Sequence, residues 1–159
     1  MMSPRIMIID DSPLLRRQLQ GRLEKAGYQL VGADDCEKGL ALHSADPVDL
    51  VIVDAGRLSL DGFVHLQRLR QTPGRRRRPA LIAMSGAAES AFLELAESLG
   101  VDSVVAKPVA VEGLLDRIVT ILQSDRGEAG TTWFVEDVPL DPMDVDFSEQ
   151  EDPGSGISR

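Results

Sequence analysis

Asp49–Asp54 reads DLVIVD and is the most informative segment of the chain for the fold. Its four central residues are all aliphatic, without the polar alternation of a strand that has one face in water. An unbroken apolar run of this kind is expected of a strand covered on both faces, as the strands of parallel sheets are. The stretch therefore predicts a buried strand in a sheet with helices on both sides.

On both sides of this strand, residues 5–123 alternate β-rich runs with helical periodicity. The other predicted strands are Arg5–Asp10, Tyr28–Gly32, Ala80–Ser85 and Ser103–Ala106. The predicted helices begin at Ser12–Pro13 and run to Gly27, cover Glu37–Ala45, and surround Phe63–Leu69, Phe92–Leu99 and Val111–Leu122. Five consecutive strand-then-helix units predict an α/β fold with a parallel sheet. A closed barrel needs eight units and about 250 residues, so five units favour an open, doubly wound sheet.

Composition indicates a soluble chain with an aliphatic core. Of the 159 residues 43% are apolar but only 4% are aromatic. The single cysteine, Cys36, cannot form an internal disulfide, which suits a reducing compartment. No apolar run approaches the roughly 18 residues needed to cross a bilayer, and the N-terminus lacks a signal-peptide pattern. We therefore expect a cytoplasmic protein with no membrane partner.

The formal net charge of −9 lies almost entirely at one end of the chain. Residues 1–123 carry 15 Lys/Arg against 16 Asp/Glu, whereas residues 124–159 carry 2 against 10. The pattern predicts a folded domain over 1–123 and an acidic tail over 124–159. Because no large basic surface is indicated, nucleic-acid binding is not expected.

The tail allows two interpretations. Its Gly, Pro and acidic residues are typical of a disordered linker. Trp133, Phe134 and Val135 instead suggest a docking segment whose aromatic side chains pack on the folded domain or on a partner. Trp133 is the only tryptophan of the chain, which favours docking.

Polar residues gather where the predicted strands end. Ligands of open parallel sheets bind outside the carboxyl ends of the strands. The residues at these ends are Asp10 and Asp11 after the first strand, Asp54 on the third, Ser85 on the fourth and Lys107 after the fifth. Three carboxylates, one hydroxyl and one ammonium group are therefore expected on one rim of the sheet.

Such a cluster of acids needs a counter-charge. Two carboxylates about 4 Å apart repel by roughly 4 kcal/mol at an effective dielectric of about 20. Three close pairs would approach about 12 kcal/mol, comparable to the total stability of a domain. One lysine offsets part of this repulsion, and Mg²⁺ suits a few carboxylates together with water and phosphate oxygens. The alternative is that each aspartate is only a turn former or a helix cap.

The order of these motifs resembles the receiver domain of bacterial two-component response regulators, the CheY-like family. The matching pieces are Asp10–Pro13, Asp54 with Leu60–Gly62, Ser85–Gly86 and Lys107–Pro108. The resemblance covers residues 5–123 and implies a flavodoxin-like, five-stranded sheet. It is specific because four motifs recur in order at the expected strand ends.

The resemblance implies a role for each residue. Asp54 would be the phosphoacceptor, attacking a phosphohistidine of a histidine kinase or histidine phosphotransfer protein. Asp10, Asp11, Asp54 and the backbone carbonyl of Gly56 would hold Mg²⁺. Lys107 would pair with one phosphoryl oxygen and Ser85 would hydrogen-bond another. The resemblance also implies a signalling module rather than an enzyme, acting on a downstream protein target, with homodimer formation left open.

The chain departs from the family at Val104, where an aromatic residue usually reports phosphorylation. A pseudo-receiver that keeps the fold without cycling phosphate is therefore the alternative function. A phosphatase with an aspartyl-phosphate intermediate is less favoured, because Asp10 and Asp11 are adjacent rather than separated by one residue. His43 and His65, on predicted helices, are expected at the surface rather than as metal ligands.

Overall fold

The structure is a computed structural model that describes residues 3–57, 59–74, 78–86, 98, 100–107 and 109–123. Its strands are β1 (Arg5–Ile9), β2 (Gln29–Ala33), β3 (Leu50–Asp54), β4 (Ala80–Ser85) and β5 (Ser103–Ala106). Its helices are α1 (Pro13–Lys25), α2 (Cys36–Ala45), α3 (Leu60–Gln71) and α4 (Val111–Gln123), with a 3₁₀ turn at Ala55–Arg57. The predicted helix around Phe92–Leu99 and the predicted tail 124–159 lie outside the described residues.

The five strands form one parallel sheet in the order β2-β1-β3-β4-β5. The predicted open, doubly wound, flavodoxin-like sheet is thus confirmed. Strand order reverses between β1 and β3, where the chain turns to opposite sides of the sheet. Ligands of such folds bind at this switch point, beyond the carboxyl ends of the strands.

Two apolar layers cover the sheet, and β3 lies between them with all five residues buried. Met7 and Ile9 join the layer that includes residues of α2 and α3, whereas Ile6 and Ile8 join the layer under α1 and α4. The alternation along β1 follows from the two-residue period of a strand. Both layers are aliphatic, as the composition predicts.

Three helices begin at a side chain that caps them. The Ser12 hydroxyl accepts a hydrogen bond from the N–H of Leu15, and Ser59 accepts one from Gly62. Asp35 accepts one from Lys38 at the start of α2. Each cap satisfies an N–H group that the first turn of a helix leaves free. Within the described part of the chain, no helix combines the length and apolarity needed to span a membrane.

The expected surface position of His43 is wrong, because its side chain is fully buried. The N–H of Val48 donates to Nδ1 at 3.0 Å, so Nε2 carries the proton and donates to the carbonyl oxygen of Thr72, also at 3.0 Å. The ring thereby links α2 to the end of α3 and to the residues preceding β3. Cys36, Gly39 and His43 follow the i, i+3, i+7 spacing of one helix face, and this phase could have revealed the burial.

A partly buried ion pair ties the opposite end of the sheet together. Arg70 on α3 donates to Asp102 Oδ2 at 3.0 Å and to the carbonyl oxygens of Pro79 and Gly100. Asp102 Oδ2 also accepts the N–H of Leu81 at 2.8 Å. These bonds fix the chain just before β4 and β5, and they keep the entry points of both strands in register.

Candidate functional site

Asp10 follows β1 directly, and its side chain is only 1% exposed. Its N–H continues the sheet by donating to the carbonyl oxygen of Ala33, and its Oδ1 accepts the N–H of Ser12 at 2.8 Å. Oδ2 is buried and has no hydrogen-bond partner among the described residues. One carboxylate oxygen is therefore held by the backbone, and the other is left available at the rim of the sheet.

Asp54, the last residue of β3, faces the same rim. Its Oδ1 accepts the N–H of Gly56 at 3.0 Å, and its Oδ2 lies 2.9 Å from Nζ of Lys107. The lysine follows β5, where its N–H donates to the carbonyl oxygen of Ser85. The same Nζ is 3.9 Å from Asp10 Oδ2. One ammonium group thus lies between two buried carboxylates.

The three acids form a compact group. One carboxylate oxygen from each of Asp10, Asp11 and Asp54 lies within 4.8 Å of the other two. Burial raises the pKa of Asp10, and the negative charges of Asp54 and Asp11 raise it further. The Ser12 N–H and the Lys107 charge act in the opposite direction on this pKa. The carboxylates of the site therefore carry more negative charge than its single lysine neutralises.

This donor set fits Mg²⁺. Hard divalent cations prefer carboxylate and carbonyl oxygens, and the group offers three carboxylates, two in the loop after β1 and one at the end of β3. Asp10 Oδ2 is the clearest indication, since a buried carboxylate oxygen without a partner is costly unless a cation binds it. Gly56 adjoins the group, and its N–H donates to Asp54 Oδ1 at 3.0 Å.

The structure therefore brings together Asp10, Asp11, Asp54 and Lys107, which are distant in sequence. Gly56 contacts Asp54 through its N–H, and Ser85 ends β4 beside the lysine. The predicted Lys107-Pro108 motif is described only as far as Lys107, because Pro108 lies outside the described residues.

Sequence reasoning missed Arg16. Its Nη1 donates to the carbonyl oxygen of Asp10, which helps to fix the backbone of the β1–α1 loop. The arginine crosses β2 at Gly32, where a Cβ would lie only 3.4 Å from its Cδ and Nε atoms. The available signal was its position four residues after the Ser12 cap, and hence one turn up α1 on the same face.

A comparison with protein families places this site in context. The model of the response regulator receiver domain matches residues 6–119. The chain belongs to the response regulator receiver domain family.

Several relatives of this receiver are regulators of different kinds. It is 31% identical over 109 residues to a probable chemotaxis protein CheY from Rhizobium etli, covering 68% of this chain and 84% of that protein. It is 34% identical over 120 residues to the DNA-binding regulator RpaA from Synechocystis, covering 76% of this chain and 49% of that protein. For the transcriptional regulatory protein PhoP from Escherichia coli, identity is 26% over 147 residues, covering 92% of this chain and 62% of PhoP.

Solved structures show the same receiver fold. A CheY-like receiver domain protein from Methanospirillum hungatei has a TM-score of 0.68 at 25% identity, covering 80% of this chain and 99% of that one. A response regulator from Thermotoga maritima has a TM-score of 0.67 at 20% identity, covering 77% and 100%. The latter likeness concerns the fold alone.

Membership in the family identifies a two-component signalling domain. Receiver domains are in general signalling modules rather than enzymes, and they interact with kinases or phosphotransfer proteins. They bind Mg²⁺ at a cluster of acidic residues, and Asp10, Asp11 and Asp54 form such a cluster here.

Proposed function

We propose that this receiver accepts a phosphoryl group on Asp54 from the phosphohistidine of a histidine kinase or histidine phosphotransfer protein. The transfer depends on Mg²⁺, and the output is contact with a downstream protein. The observation that best supports this proposal is the position of Asp54. Its Oδ2 lies 2.9 Å from Nζ of Lys107, and its carboxylate is grouped with the buried Asp10 Oδ2, which accepts no hydrogen bond from the residues that the structure describes.

In the proposed transfer, a carboxylate oxygen of Asp54 attacks the phosphorus while the P–N bond to the partner's imidazole breaks. The imidazole leaves with the bonding electrons, and an acyl phosphate remains on Asp54. Lys107 pairs with a phosphoryl oxygen, and the Ser85 hydroxyl donates to another. The Gly56 N–H holds Asp54 Oδ1, so that the carboxylate approaches the phosphorus in a fixed orientation.

Asp10, Asp11, Asp54 and the backbone carbonyl of Gly56 would hold the Mg²⁺. When bound, the ion neutralises the carboxylates and the developing charge on the phosphoryl oxygens. The acids alone would repel the incoming anion, because three carboxylates face one lysine. The proposal therefore requires the metal for transfer.

The test is incubation with acetyl phosphate, with and without Mg²⁺, followed by intact mass spectrometry. We expect a gain of one phosphoryl group that requires Mg²⁺ and is absent in Asp54→Asn. Asp34→Asn is the matched control, since Asp34 is an exposed aspartate paired with Lys38 after β2. Phosphorylation of the Asp54→Asn protein, or equal labelling without Mg²⁺, would count against the proposal.

The pseudo-receiver remains the alternative because of Val104. This aliphatic residue is half-buried against the α2–α3 apolar layer, where the family usually has an aromatic ring. A pseudo-receiver would bind Mg²⁺ but gain no phosphoryl group from acetyl phosphate.

We further propose that the protein acts in the cytoplasm through a protein partner, without binding nucleic acid or membranes and with homodimer formation left open. The absence of nucleic-acid binding stays a prediction, because RpaA is a DNA-binding regulator and PhoP a transcriptional one. The chain spans 49% of RpaA and 62% of PhoP, so the activity of a whole regulator is not carried over.

A further inference from the structure

A groove of about 530 Å³ lies between α1 and the segment that enters α4. Its lining is formed by Leu15, Gln18, Leu19, Arg22, Lys107, Val109 and Val111. Four of these side chains are aliphatic, and the volume falls in the range of about 300–1,000 Å³ typical of pockets that bind compact apolar groups. Since Lys107 also belongs to the acidic site, the groove and that site are adjacent.

The helix beside the groove is basic. α1 carries four cationic residues, Arg16, Arg17, Arg22 and Lys25, against the single acid Glu24. Of these cations Arg22 lines the groove, whereas Arg16 donates to the carbonyl oxygen of Asp10. Arg22 is 49% exposed and pairs with Glu112 at 2.7 Å, a residue that is itself 81% exposed. Surface ion pairs of this kind contribute little to stability, so another carboxylate can replace Glu112 at small cost. The groove therefore favours an apolar ligand that carries an acid at the Arg22 end.

We propose that the groove binds residues 133–137 of the same chain, which read WFVED. Trp133, Phe134 and Val135 fill the apolar part, and Glu136 and Asp137 lie beside the basic side chains of α1. An aromatic side chain removes about 150–250 Å² from water when buried, which gives such a segment a strong anchor. The surrounding residues 124–159, with ten acids and two bases, are attracted to the same helix.

The connection is long enough for this contact within one molecule. α4 ends at Gln123, and its 13 residues rise by about 18 Å from the groove end to the far end. Nine residues lie between Gln123 and Trp133, and the ten residue-to-residue steps of an extended chain span up to about 33 Å. The segment can therefore return along α4 and reach Val111 without distorting the helix.

Trp133 provides the assay, because it is the only tryptophan in the protein. We expect its emission in the native full-length chain to be blue-shifted from that of the urea-unfolded chain. Quenching by the neutral quencher acrylamide should be several-fold weaker in the native protein. Protection should decrease partly with rising NaCl, since salt screens the charges but not the apolar contact. Identical emission and quenching before and after unfolding would overturn the proposal.

Two substitutions on one helix locate the contact. Val111→Asp introduces an acid into the groove at the first turn of α4, where a negative charge does not harm the helix. Val119→Asp introduces the same charge at a position that is 42% exposed and outside the groove lining. We expect Val111→Asp, but not Val119→Asp, to raise quenching toward the unfolded level. Circular dichroism checks that both variants are folded.

A third variant tests the charge contribution. Arg22→Glu reverses a cation that lines the groove, and it should also increase the quenching of Trp133. If neither Val111→Asp nor Arg22→Glu changes the protection of Trp133 from acrylamide, the tryptophan lies elsewhere. That result would refute docking in the groove. Protection that is lost on dilution would show that a second copy supplies the segment, which also refutes docking within one chain.

The fluorescence measurement needs neither Mg²⁺ nor a phosphodonor, so its outcome is independent of the function proposed above. Any effect of the docked segment on access to Lys107 does rest on that function. A failure to gain a phosphoryl group would leave the docking result standing, and the reverse also holds.

Discussion

Replacing Asp10 with asparagine is expected to stabilise the Mg²⁺-free protein. Asp10 faces two acids within 4.8 Å, each repelling it by about 3.5 kcal/mol at an effective dielectric near 20. Lys107, at 3.9 Å, returns about 4 kcal/mol of attraction by the same relation. The remaining repulsion and the burial of the charge both favour a neutral side chain.

Asparagine keeps the shape of the site and can still accept the Ser12 N–H through its amide oxygen. Because Asp11 is exposed and water enters from that side, screening reduces the net gain to about 1–3 kcal/mol. In excess Mg²⁺ the order of stability should reverse, so that the wild-type protein is more stable than Asp10→Asn. At about 100 times its dissociation constant, an ion bound only by the folded state stabilises it by about 2.7 kcal/mol, and the variant should lose most of this increment.

The stability that Asp10→Asn gains over the wild-type protein should depend on pH in one direction. The folded state raises the pKa of Asp10, so the folded protein holds this proton more tightly than the unfolded chain does. The stability that this protonation contributes is present at low pH and is lost as pH rises through the pKa of the folded state. The advantage of the asparagine variant should therefore appear at neutral pH and shrink as the solution is acidified below that pKa.

The assay is urea unfolding followed by circular dichroism, in EDTA and in excess Mg²⁺, at neutral and acidic pH. Asp34→Asn is the control, because Lys38 lowers the pKa of Asp34 and its charge is therefore favourable in the folded state. That variant should gain no stability in EDTA. A Mg²⁺-free Asp10→Asn protein that is less stable than wild type would refute the electrostatic reasoning.

Three further predictions concern the framework that holds the site, each measured by urea unfolding. Arg70→Met should cost about 3–5 kcal/mol because it leaves the nearly buried carboxylate of Asp102 without its cation, with only the Leu81 N–H still bound to Oδ2, whereas Arg22→Met, which removes an exposed pair, should cost far less; equal losses would contradict this. Gly39→Ala should destabilise the fold, since its Cβ would lie 2.7 Å from a core side chain, whereas Gly21→Ala, with open space around it, should stabilise α1 by about 0.5–1 kcal/mol. His43→Leu should cost about 2 kcal/mol or more by leaving two buried backbone groups unpaired, and a change below about 0.5 kcal/mol would mean that the ring is not buried.

Several features follow from local sequence alone. The apolar run of β3 and the helical stripes predict the alternation of strands and helices, because burial imposes periods of 2 and 3.6 residues on neighbouring positions. Ser12 and Asp35 signal helix starts for an equally local reason, since each bonds an N–H three residues ahead. The parallel sheet then implies that the strand-end residues Asp10, Asp54 and Lys107 share one rim.

Other features depend on side-chain placement across the sheet. The helix phase places His43 on the buried face of α2, but the pairing of its Nε2 with the carbonyl oxygen of Thr72, 29 residues away, depends on how α2 packs against the end of α3. Arg16 reaches the carbonyl of Asp10 from the first turn of α1 and passes beside Gly32 of β2. In the same way, the groove beside α1 exists only where that helix meets the segment entering α4.

The secondary-structure elements and the charged residues at their ends can be read from the chain, because they depend on contacts within a few residues. The 2.9 Å separation of Lys107 from Asp54, and the buried Asp10 oxygen that accepts no hydrogen bond within the described part of the chain, are known only from the folded molecule. Those distances arise from strand register and from packing between segments far apart in the chain. A periodic pattern carries no information on either, since it records which face a residue occupies and not which residue it meets.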